Sequence, residues 1–461
     1  MSDPNVSVWN SIARHSFLFF VVVVAIFALH PSIWHASWRF DDPQMLEFAA
    51  NQSIVESFYK PNVWKELGAP FFTPLLTLSY WIDHQIFGLD PWGYYLHQVA
   101  AMALAVMLSY AKIKDNISAA PFRKAWAAIC GILFISGMPA FVVTEQVMTR
   151  HYIEGLCLAL ISFHLHQRGT RVAIIFSALF YLLAILAKEI YIPLPFILFY
   201  THWSRDRETT SSLTRVAWHG FFLALYALWR VYMLNGIGGY SSQLIPSLEQ
   251  FLNFLEAGIS IVFFDGVFGV VAAAIIFTYV LKKKAEQNWS TMYLLSVAAL
   301  SALPLLPAIA SIPSDMGTPY FIFHRYFFLP WWLLCMALIH AGIPASQSRM
   351  ISRIGLQYAW LAVLATLTLS VVLASIYDSK KRGCFEAWAT TSEDWYLSHW
   401  HSRSLLGEPP PPEVLPYLHF MGKKIDQLAQ RSMDIPPDVH GDRLLSTIAK
   451  IHSRQTLKCK N

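Results

Sequence analysis

Apolar positions along this chain gather into long unbroken runs separated by short polar connections. The runs fall near 13–31, 91–111, 125–143, 150–167, 171–187, 189–203, 215–234, 259–281, 291–310, 326–343 and 355–376. Each approaches the ~20 residues that cross a hydrocarbon core. Backbone amides in lipid must be satisfied within their own segment, so the pattern predicts about eleven helices. Two further stretches, Met45 to Phe58 and Leu75 to Phe87, place apolar residues at helical spacing but are too short or too polar to span. They read as interfacial helices in a long first outer loop, 32–90, with Gly68, Pro70 and Pro74 marking the turn between them.

The pattern changes after residue 376, which divides a polytopic membrane domain, 1–376, from a tail domain, 377–461. The tail opens on Phe385 to Trp400, rich in Trp and Tyr, and continues through a proline run, Pro409 to Pro412, that forces an extended spacer. Short amphipathic stretches follow at Val414 to Ala429 and Leu444 to Ile451. No repeat of ~34 residues appears, so a tetratricopeptide array is excluded.

Composition agrees with the pattern. The 461 residues are 55% hydrophobic and 14% charged, with charge far below the ~25% of soluble domains. Seventeen Trp suit the two lipid-water interfaces. The net charge of +5 is modest, and no basic patch interleaved with aromatics points to nucleic acid.

Where the charges lie matters more. With the N-terminus cytoplasmic, the inner connections hold fifteen Lys and Arg, including Arg123, Lys124 and Lys282 to Lys284. The outer connections hold seven: Arg39, Lys60, Lys65, Arg150, Lys188, Arg230 and Arg325. This is the positive-inside bias, and it makes the tail extracytoplasmic. The first run lacks a small-x-small cleavage site and reads as an uncleaved anchor. A compact chain of this kind, without repeats, is expected in a bacterial inner membrane. Cys130, Cys157 and Cys335 read as small apolar residues within spans. Cys384 and Cys459 either close a disulfide across the tail or remain two thiols.

The polar residues with chemistry to offer fall on one side. Asp41 and Asp42 lie about ten residues past the first run, and Arg150, Lys188, Arg230 and Arg325 each sit at the outer end of a different span. Moving a sugar from a lipid phosphate to a hydroxyl needs a base for the acceptor proton and cations for the departing phosphate. Arginine suits phosphate because its planar fork bonds two oxygens at once.

Several runs then carry a resemblance. Thr73 to Asp83 (TPLLTLSYWID) and Phe87 to His97 (FGLDPWGYYLH) resemble the RPLTNLSYALDY…GLNPFGFHLTN stretch of the transmembrane and tetratricopeptide-containing O-mannosyltransferases and their bacterial relatives. Those proteins belong to the GT-C superfamily of polyprenyl-phosphate-sugar-dependent glycosyltransferases. Phe40, Asp41 and Asp42 are similar to the acidic pair of that family. Pro139, Glu145 and Arg150 resemble its HP…E…GR segment, and Ala187, Lys188 and Glu189 its AKE turn. Trp229 and Arg230 resemble its LR ending of a later span, and Arg325 to Pro330 its RYLYLP. The landmarks are colinear over residues 10–345. Three departures stand out: a shorter spacing from Glu145 to Arg150, Tyr152 in place of an acidic residue, and the missing repeats. They bear on the acceptor more than on the fold.

The resemblance implies an all-α integral membrane GT-C fold and an inverting transferase acting on the extracytoplasmic side. Its donor would be a polyprenyl-phosphate sugar, in all expectation a hexose, and its acceptor a hydroxyl of a glycan, lipid or protein. Asp41 is expected as the base, with Asp42 orienting it or the sugar. Glu145, Arg150, Lys188, Glu189, Arg230, Arg325 and Tyr326 are expected to hold the substrates. Plainer roles stand beside these: Glu145 pairing with Arg150, Lys188 with Glu189, and Arg230 and Arg325 reaching lipid headgroups. Asp83 and His97 read as packing or cap residues. No metal is assigned, because His35, His151 and His324 lack ligand spacing. A lipid or solute transporter and a non-catalytic envelope assembly factor are the alternatives, the first weakened by the absence of an inverted repeat.

Overall fold

A computed structural model describes residues 4–35, 42–67, 71–88, 90–116, 123–206, 208–236, 247–252 and 325–341, with scattered positions between 361 and 373. The described residues are helical, without a strand. The expected spans 259–281 and 291–310, most of 355–376, Asp41, and the tail with Cys384 and Cys459 lie outside them.

The helices are α1 (Pro4–Leu29), α2 (Asp42–Asn51), α3 (Pro61–Glu66), α4 (Pro74–Phe87), α5 (Pro91–Asn116) and α6 (Arg123–Ser136). Then come α7 (Met138–Glu145), α8 (Arg150–Gln167), α9 (Arg171–Ala187), α10 (Leu194–Asp206), α11 (Thr209–Leu234) and α12 (Phe328–Ala341). Proline stands in the first turn of α3, α4 and α7, where its missing N–H costs no hydrogen bond. The α8–α9 hairpin turns on Gly169, whose φ of +73° suits glycine. The Thr170 hydroxyl then caps α9 by accepting from the Ala173 N–H at 3.3 Å.

The core is a layered bundle in which α8 packs along α9, α5 along α8, and α11 along α9. The described residues between 42 and 88 are largely helical: α2 packs on α4, and α4 reaches α5, α8 and α9. Trp64, Phe71 and Phe72 are buried under this cover. The Tyr226 hydroxyl donates to the Phe72 carbonyl at 3.3 Å and the Trp229 indole to that of Phe58 at 2.7 Å, so the end of α11 grips the loop.

The outward faces are apolar. On α11, Trp218, Phe221, Leu225, Leu228 and Tyr232 form an exposed stripe at three- and four-residue spacing, while His219, Tyr226 and Met233 are buried. Exposed apolar stripes of this extent mark faces that meet lipid or another protein. Even so, among the described residues no single helix is long and apolar enough to cross a membrane.

The run 125–143 is not one helix. It breaks into α6 and α7, which together have the length and apolar character of a span but are bent by 64°. Pro139 cannot continue the hydrogen-bond ladder of α6, and the ring of Trp331 from α12 occupies the space where a Cβ on Gly137 would lie. The same indole donates to the Phe134 carbonyl at 3.0 Å, which also accepts a longer bond, 3.4 Å, from the Gly137 N–H at the end of α6. Gly137→Ala is therefore expected to displace Trp331 and lower stability by about 1–3 kcal/mol. Urea or thermal unfolding in detergent measures it.

Candidate functional site

The break between α7 and α8 opens the site. Gln146 is extended, with φ −113° and ψ 110°, and a single 3-10 turn, Val147–Thr149, delivers Arg150 as the first residue of α8. The carbonyls freed by the break find side chains. Tyr95 donates to Glu145 O at 3.1 Å, and the Gln98 amide reaches Thr144 O at 3.2 Å and Gln146 O at 2.8 Å.

Arg150 is 1% exposed. Its guanidinium is ion-paired with Asp83, donates to Ser79 Oγ at 3.1 Å and to the Tyr94 carbonyl at 3.3 Å. The rings of Tyr80 and Tyr94 lie 4.8 and 5.4 Å from it. His97 Nδ1 is 2.9 Å from Asp83, its Nε2 is 3.6 Å from Glu154, and Glu154 accepts from Ser79 Oγ at 2.5 Å. Asp83 and His97 thus belong to an ionic network rather than to packing or a cap.

Asp42 is wholly buried at the start of α2 and accepts a 2.6 Å bond from the Tyr80 hydroxyl. Burial, followed by the Asp42 charge, pushes the Tyr80 phenol well above its ordinary range, so it remains a proton donor.

A second group surrounds the end of α9. Lys188 caps that helix in extended backbone, φ −155° and ψ 135°, its N–H bonding Ala184 O at 2.9 Å. The side chain is 5% exposed, with its ammonium 4.4 Å from the Phe71 ring and 5.2 Å from the Tyr152 ring. Among the described residues no carboxylate lies within ion-pairing distance of it. Burial lowers its pKa to about 8; the Glu189 charge opposes that shift, while those of Arg325 and Arg230 add to it. Glu189 pairs with Arg230 at 2.6 Å and accepts from Tyr226 at 3.3 Å, not from Lys188. Arg325 opens the turn into α12 with its guanidinium 5.2 Å from the ring of Tyr326, which is buried.

Glu145 stands apart from Arg150. It is fully buried with Oε1 3.7 Å from His30 Nδ1, and His30 stacks on Phe141 at 5.7 Å. Among the described residues no group of three or more His, Cys, Asp or Glu is placed to hold a metal ion.

Two clusters therefore emerge, one of Asp42, Tyr80, Arg150 and Asp83, the other of Lys188, Glu189, Arg230 and Arg325. Sequence reasoning passed over Tyr80, Ser79 and Glu154. Ser79, Tyr80 and Asp83 share one face of α4 by their spacing, and a hydroxyl, a phenol and a carboxylate together on an otherwise apolar helix were the available signal.

No family model matches the chain, and neither does any curated protein. A solved structure similar to it is the crystal structure of ArnT from Cupriavidus metallidurans bound to undecaprenyl phosphate. The two share 14% identity over 88% of this chain and 84% of that one, with a TM-score of 0.46.

Proposed function

We propose that this chain is an integral membrane glycosyltransferase of the GT-C type, moving a sugar from a polyprenyl-phosphate donor to a hydroxyl acceptor on the extracytoplasmic side. The observation that carries the reading is Lys188. A buried ammonium without a carboxylate partner among the described residues is costly unless an anion joins it. Lys188 lies in the positive fields of Arg230 and Arg325, and the neighbouring carboxylate, Glu189, is engaged by Arg230. A phosphate is the anion that would answer this buried ammonium. The apolar stripe of α11 and the colinear landmarks of the sequence support the membrane setting and the donor class.

The reaction is a single displacement. Asp41, with Asp42 beside it, takes the proton of the acceptor hydroxyl, and that oxygen forms a bond to the sugar C1 from the face opposite the phosphate. The bond from C1 to the phosphate oxygen breaks, and its electron pair leaves with the polyprenyl phosphate, which Lys188, Arg325 and Arg230 stabilise. Configuration at C1 inverts. Arg150 is committed to Asp83, so its part is to hold the site together; Glu189 and Tyr326 line it, and Glu145 lies apart beside His30.

The test is reconstitution in phospholipid vesicles with a radiolabelled polyprenyl-phosphate hexose and an envelope extract as acceptor. Label leaving the lipid for a glycan, lipid or protein, matched by free polyprenyl phosphate, is the expected result. Label that stays on its lipid but crosses the bilayer establishes a carrier and overturns the transferase; label that does neither leaves the assembly factor.

A further inference from the structure

We infer that Tyr80 is a positioning residue of this site, its hydroxyl holding the Asp42 carboxylate while its ring carries the Arg150 guanidinium. The inference rests on the transferase reading above. Tyr80 is wholly buried on α4, and its 2.6 Å bond reaches the first residue of α2. A ten-residue helix such as α2 is marginal alone, so its placement is set by what it packs against. Asp41 is joined directly to Asp42, ~3.8 Å away at the Cα, and whatever anchors Asp42 anchors the chain from which Asp41 extends.

The ring is itself held. Arg150 lies 4.8 Å from one side, and Tyr94 packs with its centroid 5.8 Å away. Arg150 is fixed in turn by Asp83, Ser79 and the Tyr94 carbonyl. A line of contacts thus runs from Asp83 on α4 through Arg150 on α8 and Tyr80 on α4 to Asp42 on α2. The charged and titratable groups facing it are Asp42, Arg150, Asp83, Tyr94, His97 and Glu154. Phenylalanine would fill the same space and carry Arg150 equally well. Only the hydroxyl reaches the carboxylate, and this separates positioning from packing.

The experiment compares Tyr80→Phe with the wild-type chain in the vesicle assay across pH. Asp42 orients the base only while ionised, and a bond from a neutral donor stabilises that form, so its loss is expected to move the acid limb of kcat/KM up by about one to two pH units. kcat should fall about tenfold, with KM for the lipid-linked donor unchanged. Replacing Tyr80 with 3-fluorotyrosine, which keeps the shape and sharpens the donor, should move the limb the other way, and it serves if Tyr80→Phe does not fold. Limbs that stay at the wild-type position in both proteins overturn the inference, whatever happens to melting temperature. A wild-type chain that transfers nothing brings down the transferase reading and this inference together.

Discussion

Lys188→Met is expected to make the protein more stable and nearly inactive. Lys188 ordinarily titrates at 10.5 and is held at about 8, chiefly by burial. The unfolded chain therefore keeps a proton between about pH 8 and 10.5 that the folded chain has lost, and stability rises with pH across that window. Below pH 8 the folded state carries the full penalty of the buried charge, about 3 kcal/mol for a pKa lowered from 10.5 to about 8. Methionine removes that penalty and packs between Phe71 and Tyr152, so melting temperature near pH 7 should rise. Catalysis should fall about 10²- to 10³-fold, the effect of removing one preorganised group opposite a developing negative charge. The wild-type chain should lose kcat/KM as pH climbs through 8, because the ammonium deprotonates there. Unfolding curves and transfer rates on the same preparations check both signs. A mutant that is less stable and fully active would show Lys188 to be a packing residue.

A stability gain paired with a loss of activity marks a group retained for function. The other cations are arranged differently. Arg230 has Glu189 at 2.6 Å and Arg150 has Asp83, so removing either one strands a buried or part-buried carboxylate. Their substitution is a poorer probe of phosphate binding, since any loss of transfer mixes with a loss of fold.

The long apolar runs made the helices legible, because a span must satisfy its backbone internally whatever its partners are. The runs 150–167 and 171–187 and the stretch Leu75 to Phe87 correspond closely to α8, α9 and α4, whereas the stretch Met45 to Phe58 is helical only as α2, which ends at Asn51, and as a 3-10 turn at Glu56–Phe58. The α6–α7 break was legible only in part, since Pro139 was there to signal it, but nothing in the sequence shows that a ring 194 positions later, that of Trp331, packs against Gly137. The candidate site was legible in kind but not in pairing. Burial and opposite charge decide which acid meets which base, and both depend on tertiary contacts. Asp83 thus takes Arg150, Arg230 takes Glu189, and Glu145 lies beside His30, none of which spacing alone reveals.

Asp41→Asn is expected to be the most damaging single change, lowering transfer by about 10³-fold or more, within the range of a lost general base. The reasoning starts from its neighbour. Asp42 is fully buried and already accepts from Tyr80, so one of its oxygens is engaged before a substrate arrives. A carboxylate bonded by a neutral donor is a weaker base, its ionised form being the one stabilised. On the proposed mechanism this makes Asp42 the orienting member and leaves the acceptor proton to Asp41. Asp42→Asn keeps the shape and a carbonyl able to accept from Tyr80, and should cost about tenfold to a hundredfold. The double mutant should be little worse than Asp41→Asn, because residues acting as one unit are not additive. Membrane abundance and melting temperature should stay near wild type in all three, which separates lost chemistry from lost fold. If Asp42→Asn proves the more damaging at equal abundance, the two roles are exchanged, and Tyr80 then acts on the base itself.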